Sequence, residues 1–422
     1  MVTILVLTLL LLPLLLSSLP SVDESNSQAQ NVTLIPPIEL LHILSTYTND
    51  PVIIQDDVVI NMNNAMMRKI PSPDPPLHRA SPPGRDAVIG LAAFKSFSNG
   101  FRRLIGSLRS TLYDGHILLG VHKEISASEI DFLKRMDVTI YIVDFVDCDK
   151  SILEDGEQTK GAIRGKCSKG LETLKLEWGR YEMARQWLAD CDDCTGWNIV
   201  MDTRDLFFQD HPFRGLGDPI SSPINLYFSE EISPNTSVDT NPIRSFVAGN
   251  PRSFSHVVPC YGRDKYMIYE KRAVLCSGTI IGNKLGINRF LSILVHEFYQ
   301  NNEKSNLKCR SPHTTDQWTM NYLYYNGYFG DNAKTITLPW GMGPVLTVGK
   351  ACITKDRKTG ATDLVPRNHE GFLLNLFDNN NIAPIVHQFD RCQKWIGDFF
   401  SLHPDIFRID YEKSKVPWLV QT

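Results

Sequence analysis

Residues 197–213 read WNIVMDTRDLFFQDHPF. The apolar run at 197–201 is followed at once by Asp202 and, after two further residues, by Asp205. A short apolar run bounded by polar residues is typical of a strand buried inside a sheet. We therefore expect both aspartates at the carboxyl end of a buried strand, in the turn that follows it.

Similar apolar runs come earlier in the chain and alternate with helical patterns. In chain order the sequence predicts a strand at 87–94, a helix after Ser98, a strand at 116–121, a helix from Ser126 or Ser128, a strand at 138–143 and a helix at 171–190. This alternation indicates right-handed crossovers between parallel strands. It predicts an α/β fold, a mostly parallel twisted sheet with helices on both faces, which binds ligands at the carboxyl ends of its strands.

The composition is that of a globular protein. With 422 residues, 42% of them apolar and 21% charged, the chain is long enough for one large domain or two smaller ones plus a tail. Its net charge of −4 shows no basic excess, so we expect no nucleic-acid partner. Cys191 and Cys194 lack a second pair at zinc-binding spacing, which leaves a local disulfide or two unrelated thiols.

The N-terminus indicates the compartment. Residues 2–16 are almost wholly apolar, but the run is shorter than the roughly 20 residues that a membrane-spanning helix needs. We interpret residues 1–20 as a cleaved signal peptide, with a short signal-anchor or a buried core helix as alternatives. Either of the first two places the protein in the lumen of the Golgi or the endoplasmic reticulum, where Asn31 and Asn235 stand in usable glycosylation triplets.

A stem is predicted between this segment and the folded part. Residues 21–85 show no sustained periodicity, and six prolines fall between positions 71 and 83. Proline fixes φ and removes the backbone donor, so the stretch should be stiff and extended. We take residues 86–422 as the catalytic domain.

The chemistry of the two aspartates indicates a metal site. Two carboxylates separated by two residues in a turn can reach one metal ion, directly or through water. Hard oxygen ligands of this kind suit Mg²⁺ or Mn²⁺. Such a cation neutralises the charge of a departing diphosphate. Arg204 either serves the same charge or pairs with an aspartate. The competing interpretation is that the acids only cap the next turn.

The stretch as a whole resembles the GT-A-type glycosyltransferases. The resemblance is carried by the buried strand, Asp-x-Arg-Asp at 202–205, two apolar residues, Phe-Gln at 208–209 and Pro-Phe at 212–213, and more narrowly it is similar to eukaryotic luminal transferases. It implies a Rossmann-like nucleotide half plus an acceptor half, a nucleoside-diphosphate sugar as donor, and Mn²⁺ or Mg²⁺. The family motif is Asp-x-Asp, one residue shorter, and Asp202 matches its ribose side while Asp205 matches its metal side.

Three later segments follow in the order that such enzymes show. Residues 276–282 resemble the strand beneath the donor sugar, where Ser277 and Gly278 allow close backbone approach; an ordinary buried strand with a bulge is the alternative. Residues 314–321 resemble a helix start that meets donor and acceptor through Asp316, although an acidic first turn also suits a helix dipole.

The third segment is residues 386–391. It resembles the C-terminal stretch in which a histidine completes the metal site, so His387 is a candidate third ligand; a strand-end histidine bonded to backbone is the alternative. Arg391 either binds the diphosphate or pairs with Asp390.

The resulting hypothesis is a metal-dependent glycosyltransferase that moves a sugar to a glycan or glycoprotein acceptor in the secretory pathway. If the reaction inverts, it needs a carboxylate base, and Asp316 is the candidate. A non-catalytic luminal carbohydrate-binding protein on the same fold is the main alternative, kept open by the longer Asp-x-x-Asp spacing. A different metal-dependent enzyme, a phosphodiesterase or glycosidase, is the third.

Overall fold

The computed structural model describes residues 73–93, 100–149, 166–231, 251–268, 270–303, 316–330, 334–353, 365–375, 378 and 380–404. The predicted signal segment, most of the predicted stem and both glycosylation triplets lie outside these residues and stay predictions. Within them, no helix combines the length and apolar character needed to cross a membrane.

A seven-stranded sheet forms the centre of the described structure. Its strands are β1 (Ala87–Ala92), β2 (His116–His122), β3 (Thr139–Val143), β6 (Trp197–Asp202), β8 (Leu226–Glu230), β9 (Leu275–Asn283) and β10 (Thr335–Leu338). They are ordered β10-β8-β9-β6-β1-β2-β3, and only β9 runs antiparallel to its two neighbours. The predicted mostly parallel sheet is confirmed.

Two smaller sheets accompany the main one. The strands β4 (Phe145–Asp147) and β5 (Lys166–Ser168) form an antiparallel pair. The strands β7 (Leu206–Phe208), β11 (Val345–Thr347) and β12 (Ile385–His387) form a three-stranded sheet in the order β11-β12-β7. The three-stranded sheet positions the candidate site, because its strand β7 begins four residues after β6 ends and the two aspartates lie at this junction.

Helices cover both faces of the main sheet, as predicted. They are a π-helical turn (Arg102–Gly106), α1 (Ser107–Ser110), α2 (Ala127–Arg135), α3 (Leu176–Ala189), α4 (Pro251–Tyr261), α5 (Arg263–Met267), α6 (Lys284–Glu303), α7 (Asp316–Tyr325), α8 (Gly349–Ile353), a 3-10 turn (Phe389–Arg391) and α9 (Gln393–Leu402). Alternate strand residues reach opposite faces. Ile89 packs in the core formed with α3, α6 and α7, whereas Val88 packs in the core formed with α1 and α2.

Local sequence explains the helix boundaries. Ser126 caps α2 in a reciprocal capping box with Glu129, which decides between the two predicted starts. The helix predicted at 171–190 begins only at Leu176, because Leu171 and Leu174 donate backbone hydrogen bonds to residues three positions earlier and form successive turns.

Three disulfides lie within the described residues. They join Cys148 to Cys167, Cys191 to Cys194 and Cys352 to Cys392. Of the two alternatives for Cys191 and Cys194, the local disulfide is the one found. His116 lies close enough to Cys191 and Cys194 for the three side chains to hold a metal ion together. The two sulfurs are bonded to each other, however, so they are not available as thiolate ligands.

Candidate metal centre

The two aspartates lie where the main sheet meets the three-stranded sheet. Asp202 is the last residue of β6, and Asp205 immediately precedes β7. The Thr203 hydroxyl donates to the Leu91 carbonyl at 2.7 Å and ties the turn to β1. Because β7 pairs antiparallel with β12, His387 comes opposite Leu206, next to the aspartate turn.

The structure brings Asp202, Asp205 and His387 together. His387 Nε2 lies 3.6 Å from Asp202 Oδ2 and 3.7 Å from Asp205 Oδ1, and one ligand atom from each residue falls within 4.8 Å of the others. His387 is 1% exposed, and its Nε2 is buried without a hydrogen-bond partner among the described residues. A buried polar nitrogen without a partner is costly, which indicates that a ligand belongs there.

These three groups fit a small divalent cation. Octahedral coordination at about 2.0–2.1 Å puts neighbouring ligand atoms about 3 Å apart, so the observed separations of 3.6 and 3.7 Å need to contract by less than about 1 Å. Two carboxylates suit Mg²⁺ or Mn²⁺, and the imidazole nitrogen favours Mn²⁺ of the two.

The other ring nitrogen of His387 faces β9 and β11. Its Nδ1 lies 3.1 Å from Cys276 Sγ and 3.5 Å from Thr347 Oγ1. Burial alone lowers the pKa of His387, but the Cys276 sulfur and the carboxylates of Asp205 and Glu231 outweigh it and raise the pKa to about 9. The proton on Nε2 must therefore leave before His387 serves as a metal ligand.

Gly278 leaves room for these groups. A Cβ added at this position would lie 2.5 Å from the His387 ring and 2.7 Å from Asp202 Oδ2. Both distances are shorter than side-chain atoms tolerate. A residue without a side chain is therefore needed where β9 passes beneath the three candidate ligands.

Arg180 links two of the predicted site residues. It projects from α3, pairs through Nη1 with Asp202 Oδ1, and donates from Nη2 to Asp316 Oδ2 at 2.5 Å. The Tyr181 hydroxyl donates to the same Asp316 oxygen at 2.8 Å. Burial raises the pKa of Tyr181 well above 10, so this hydroxyl keeps its proton.

Asp316 is held on both oxygens. Oδ2 accepts from Arg180 and Tyr181, and Oδ1 accepts from the Gln317 backbone N–H at 2.8 Å. Asp316 is the first residue of α7 and is buried. Its predicted part as a catalytic base would require it to leave these partners.

The remaining predicted residues lie around this centre. Arg204 is 60% exposed, 3.5 Å from Asp390 and 4.0 Å from Asp205. Arg391 is exposed and donates to Gln388 Oε1 at 2.7 Å, so the alternative of a direct pair with Asp390 is not the contact found. Ser277 contributes its carbonyl oxygen, which accepts from Tyr181 at 3.0 Å.

Sequence reasoning missed Arg180, Tyr181 and the part played by Cys276. Arg180 had no signal that singles it out, because α3 also carries Glu177, Glu182 and Arg185. Cys276 had no signal of its own, because its partner His387 is 111 positions away.

Solved structures resemble the chain at low similarity. LgtC, described as a galactosyltransferase in complex with donor and acceptor sugar analogues, shows 12% identity and a TM-score of 0.40, over 76% of this chain and 95% of LgtC. WbbM, described as a bifunctional glycosyltransferase, shows 11% identity and a TM-score of 0.41, over 77% of this chain and 53% of WbbM. The chain thus spans about half of WbbM. No protein-family model matches the sequence. No curated protein matches it either.

Proposed function

We propose that this chain is a metal-dependent glycosyltransferase of the secretory pathway, which transfers a sugar from a nucleoside-diphosphate sugar to a glycan or glycoprotein acceptor. The observation that carries the proposal is the meeting of three groups of metal-ligand type: the buried Nε2 of His387, which has no hydrogen-bond partner among the described residues, faces the carboxylates of Asp202 and Asp205 at 3.6 and 3.7 Å. The resemblance of residues 202–213 to GT-A-type enzymes supplies the reaction class.

The residues around the metal centre have distinct parts in this proposal. Asp202, Asp205 and His387 hold Mn²⁺ or Mg²⁺, and the bound cation supplies positive charge that stabilises the departing diphosphate. Arg180 fixes the direction of the Asp202 carboxylate through Oδ1 and leaves Oδ2 turned towards His387. Arg204 and Arg391, both exposed beside the centre, offer further charge to the diphosphate.

Asp316 has a positioning part in the proposal. Its carboxylate accepts hydrogen bonds from Arg180 and Tyr181. It thereby holds the Arg180 guanidinium, which orients Asp202. Ser277 and Gly278 bring the backbone of β9 close to the donor sugar, which is the part that the sequence resemblance gives them.

Metal-dependent hydrolysis of sugar nucleotides tests the proposal. A panel of nucleoside-diphosphate sugars is incubated with the full chain and Mn²⁺, and release of free sugar is measured. We expect hydrolysis of one donor class, its loss in Asp205→Ala and after chelation, and no change in Asp131→Ala, an exposed acid on α2. Absence of hydrolysis with every donor, together with no thermal stabilisation by any nucleoside diphosphate, would overturn the proposal.

The same experiment separates the binding-only alternative. A carbohydrate-binding protein on this fold would be stabilised by ligand without turning it over. The secretory location has its own test: after expression in eukaryotic cells, digestion with a glycosidase that removes N-linked glycans should lower the apparent mass, and Asn31→Gln/Asn235→Gln should abolish that change.

A further inference from the structure

Cys276 is a buried thiol behind the metal centre. It is the second residue of β9, is 1% exposed and forms no disulfide with any cysteine that the structure describes. Its Sγ lies 3.1 Å from His387 Nδ1, on the opposite side of the ring from the nitrogen that faces Asp202 and Asp205. The thiol therefore contacts the predicted metal ligand directly without facing the metal position itself.

The surroundings of the sulfur make it a hydrogen-bond acceptor. The Gly278 backbone N–H donates to Sγ at 3.4 Å and the Thr279 hydroxyl donates to it at 3.9 Å. Gly278 and Thr279, two and three positions further along β9, thus both donate to the sulfur. His387 Nδ1 lies 3.1 Å from the same sulfur, and because two donors already point at Sγ, the geometry favours the tautomer that donates from Nδ1.

The direction of this hydrogen bond decides which nitrogen is available. A histidine that donates from Nδ1 keeps the lone pair of its neutral ring on Nε2. Metal-binding histidines commonly donate their other N–H to a carboxylate or a carbonyl, which fixes the ring and its tautomer. Here a sulfur stands in the place of that oxygen, and Thr347 Oγ1 is farther from Nδ1 at 3.5 Å.

We propose that Cys276 is a positioning residue that holds the His387 ring with Nε2 turned towards Asp202 and Asp205 for metal binding. The inference rests on the proposed function, because it presupposes a cation held by those three residues. It predicts that the thiol controls metal affinity without touching the metal or the sugar nucleotide.

Calorimetric titration of the metal-free full chain with Mn²⁺ tests the inference. Loss of a partner that orients a metal-binding histidine typically weakens metal binding about 10- to 100-fold, and we expect that loss in Cys276→Ala. Cys276→Ser keeps a shorter acceptor and should recover part of the affinity. Ile280→Val, a buried truncation on the same strand, is the matched control and should bind Mn²⁺ as the wild type does.

The outcomes separate the inference from the function on which it rests. If the wild type binds Mn²⁺ and Cys276→Ala binds it within about threefold, the inference fails and the proposed function stands. If the wild type binds no Mn²⁺, both fail. Should Cys276→Ala not fold, Cys276→Ser gives the answer: Mn²⁺ binding weaker than that of the wild type supports the inference, and binding equal to that of the wild type overturns it.

Discussion

Arg180 donates to Asp316 at 2.5 Å while its other terminal nitrogen pairs with Asp202, so one guanidinium joins the end of β6 to the first turn of α7. The side chains of Arg180 and Asp316 are 17% and 11% exposed. In such surroundings each charge depends on its partner, since an unpaired buried charge is costly. The Arg180 ion pairs therefore contribute to the stability of the fold and to the orientation of Asp202 in the candidate metal centre.

Arg180→Met should lower the free energy of unfolding by about 3 kcal/mol, because it leaves the Asp316 carboxylate without its ionic partner. Urea denaturation measures the change. The double variant Arg180→Met/Asp316→Asn removes the stranded charge and should recover about 1 kcal/mol of that loss. Asp316→Asn alone completes the double-mutant cycle, and a double variant whose loss equals the sum of the two single losses would show that the pair is not coupled.

Gly278→Ala should abolish or strongly weaken Mn²⁺ binding, because its Cβ would lie 2.5 Å from the His387 ring and 2.7 Å from Asp202 Oδ2. Calorimetry gives the affinity. The control is Gly179→Ala on α3, where the nearest atom to an added Cβ is at 3.5 Å. That change should leave metal binding intact and stabilise the helix by about 0.5–1 kcal/mol. Unchanged Mn²⁺ affinity in Gly278→Ala would contradict the placement of the site.

Arg204→Ala and Arg391→Ala should each weaken nucleoside-diphosphate binding by about tenfold, because a charge-assisted hydrogen bond to phosphate is lost. The measurement is a nucleotide titration in the presence of Mn²⁺, repeated at high salt, which should shrink the difference. Arg214→Ala is the control, since Arg214 is similarly exposed and pairs with Asp210, which is not one of the candidate metal ligands. An effect as large in the control would mean that general surface charge, not these two positions, attracts the nucleotide.

The disulfide Cys352–Cys392 should contribute more stability than Cys191–Cys194. It closes a loop with a sequence separation of 40, against 3 for the other pair. Loop-closure entropy then predicts a loss of about 4 kcal/mol for Cys352→Ala/Cys392→Ala and about 1.5 kcal/mol for Cys191→Ala/Cys194→Ala. Denaturation of the two double variants under identical conditions gives the comparison, and a reversed order would refute the entropic account.

Four strands of the main sheet, β1, β2, β3 and β6, were predicted because each is a short buried apolar run, whereas β8 and β10 were not predicted. The start of β2 and of β6 coincides with the predicted residue, and β3 begins one residue late. The start of α3 was five residues off, since a helical pattern in sequence does not distinguish the preceding turns from the helix itself.

Long-range pairings were the part that the sequence did not reveal. The apolar residues 206–208, which entered the sequence analysis only as part of the motif, form β7 and pair with β12. Nothing local to either strand encodes a partner about 180 residues away. The ionic link of Arg180 to Asp202 and Asp316 was hidden for the same reason.

The pairing of β7 with β12 has a consequence for synthesis on the ribosome. Asp202 and Asp205 are synthesised well before His387, which lies on β12 near the end of the described residues. In the three-stranded sheet β12 lies between β11 and β7, both of which are synthesised before it. A nascent chain halted before residue 385 would carry the acids with no imidazole to complete them. The proposed metal site should therefore form late in synthesis, only after translation has passed β12, the last strand among the described residues.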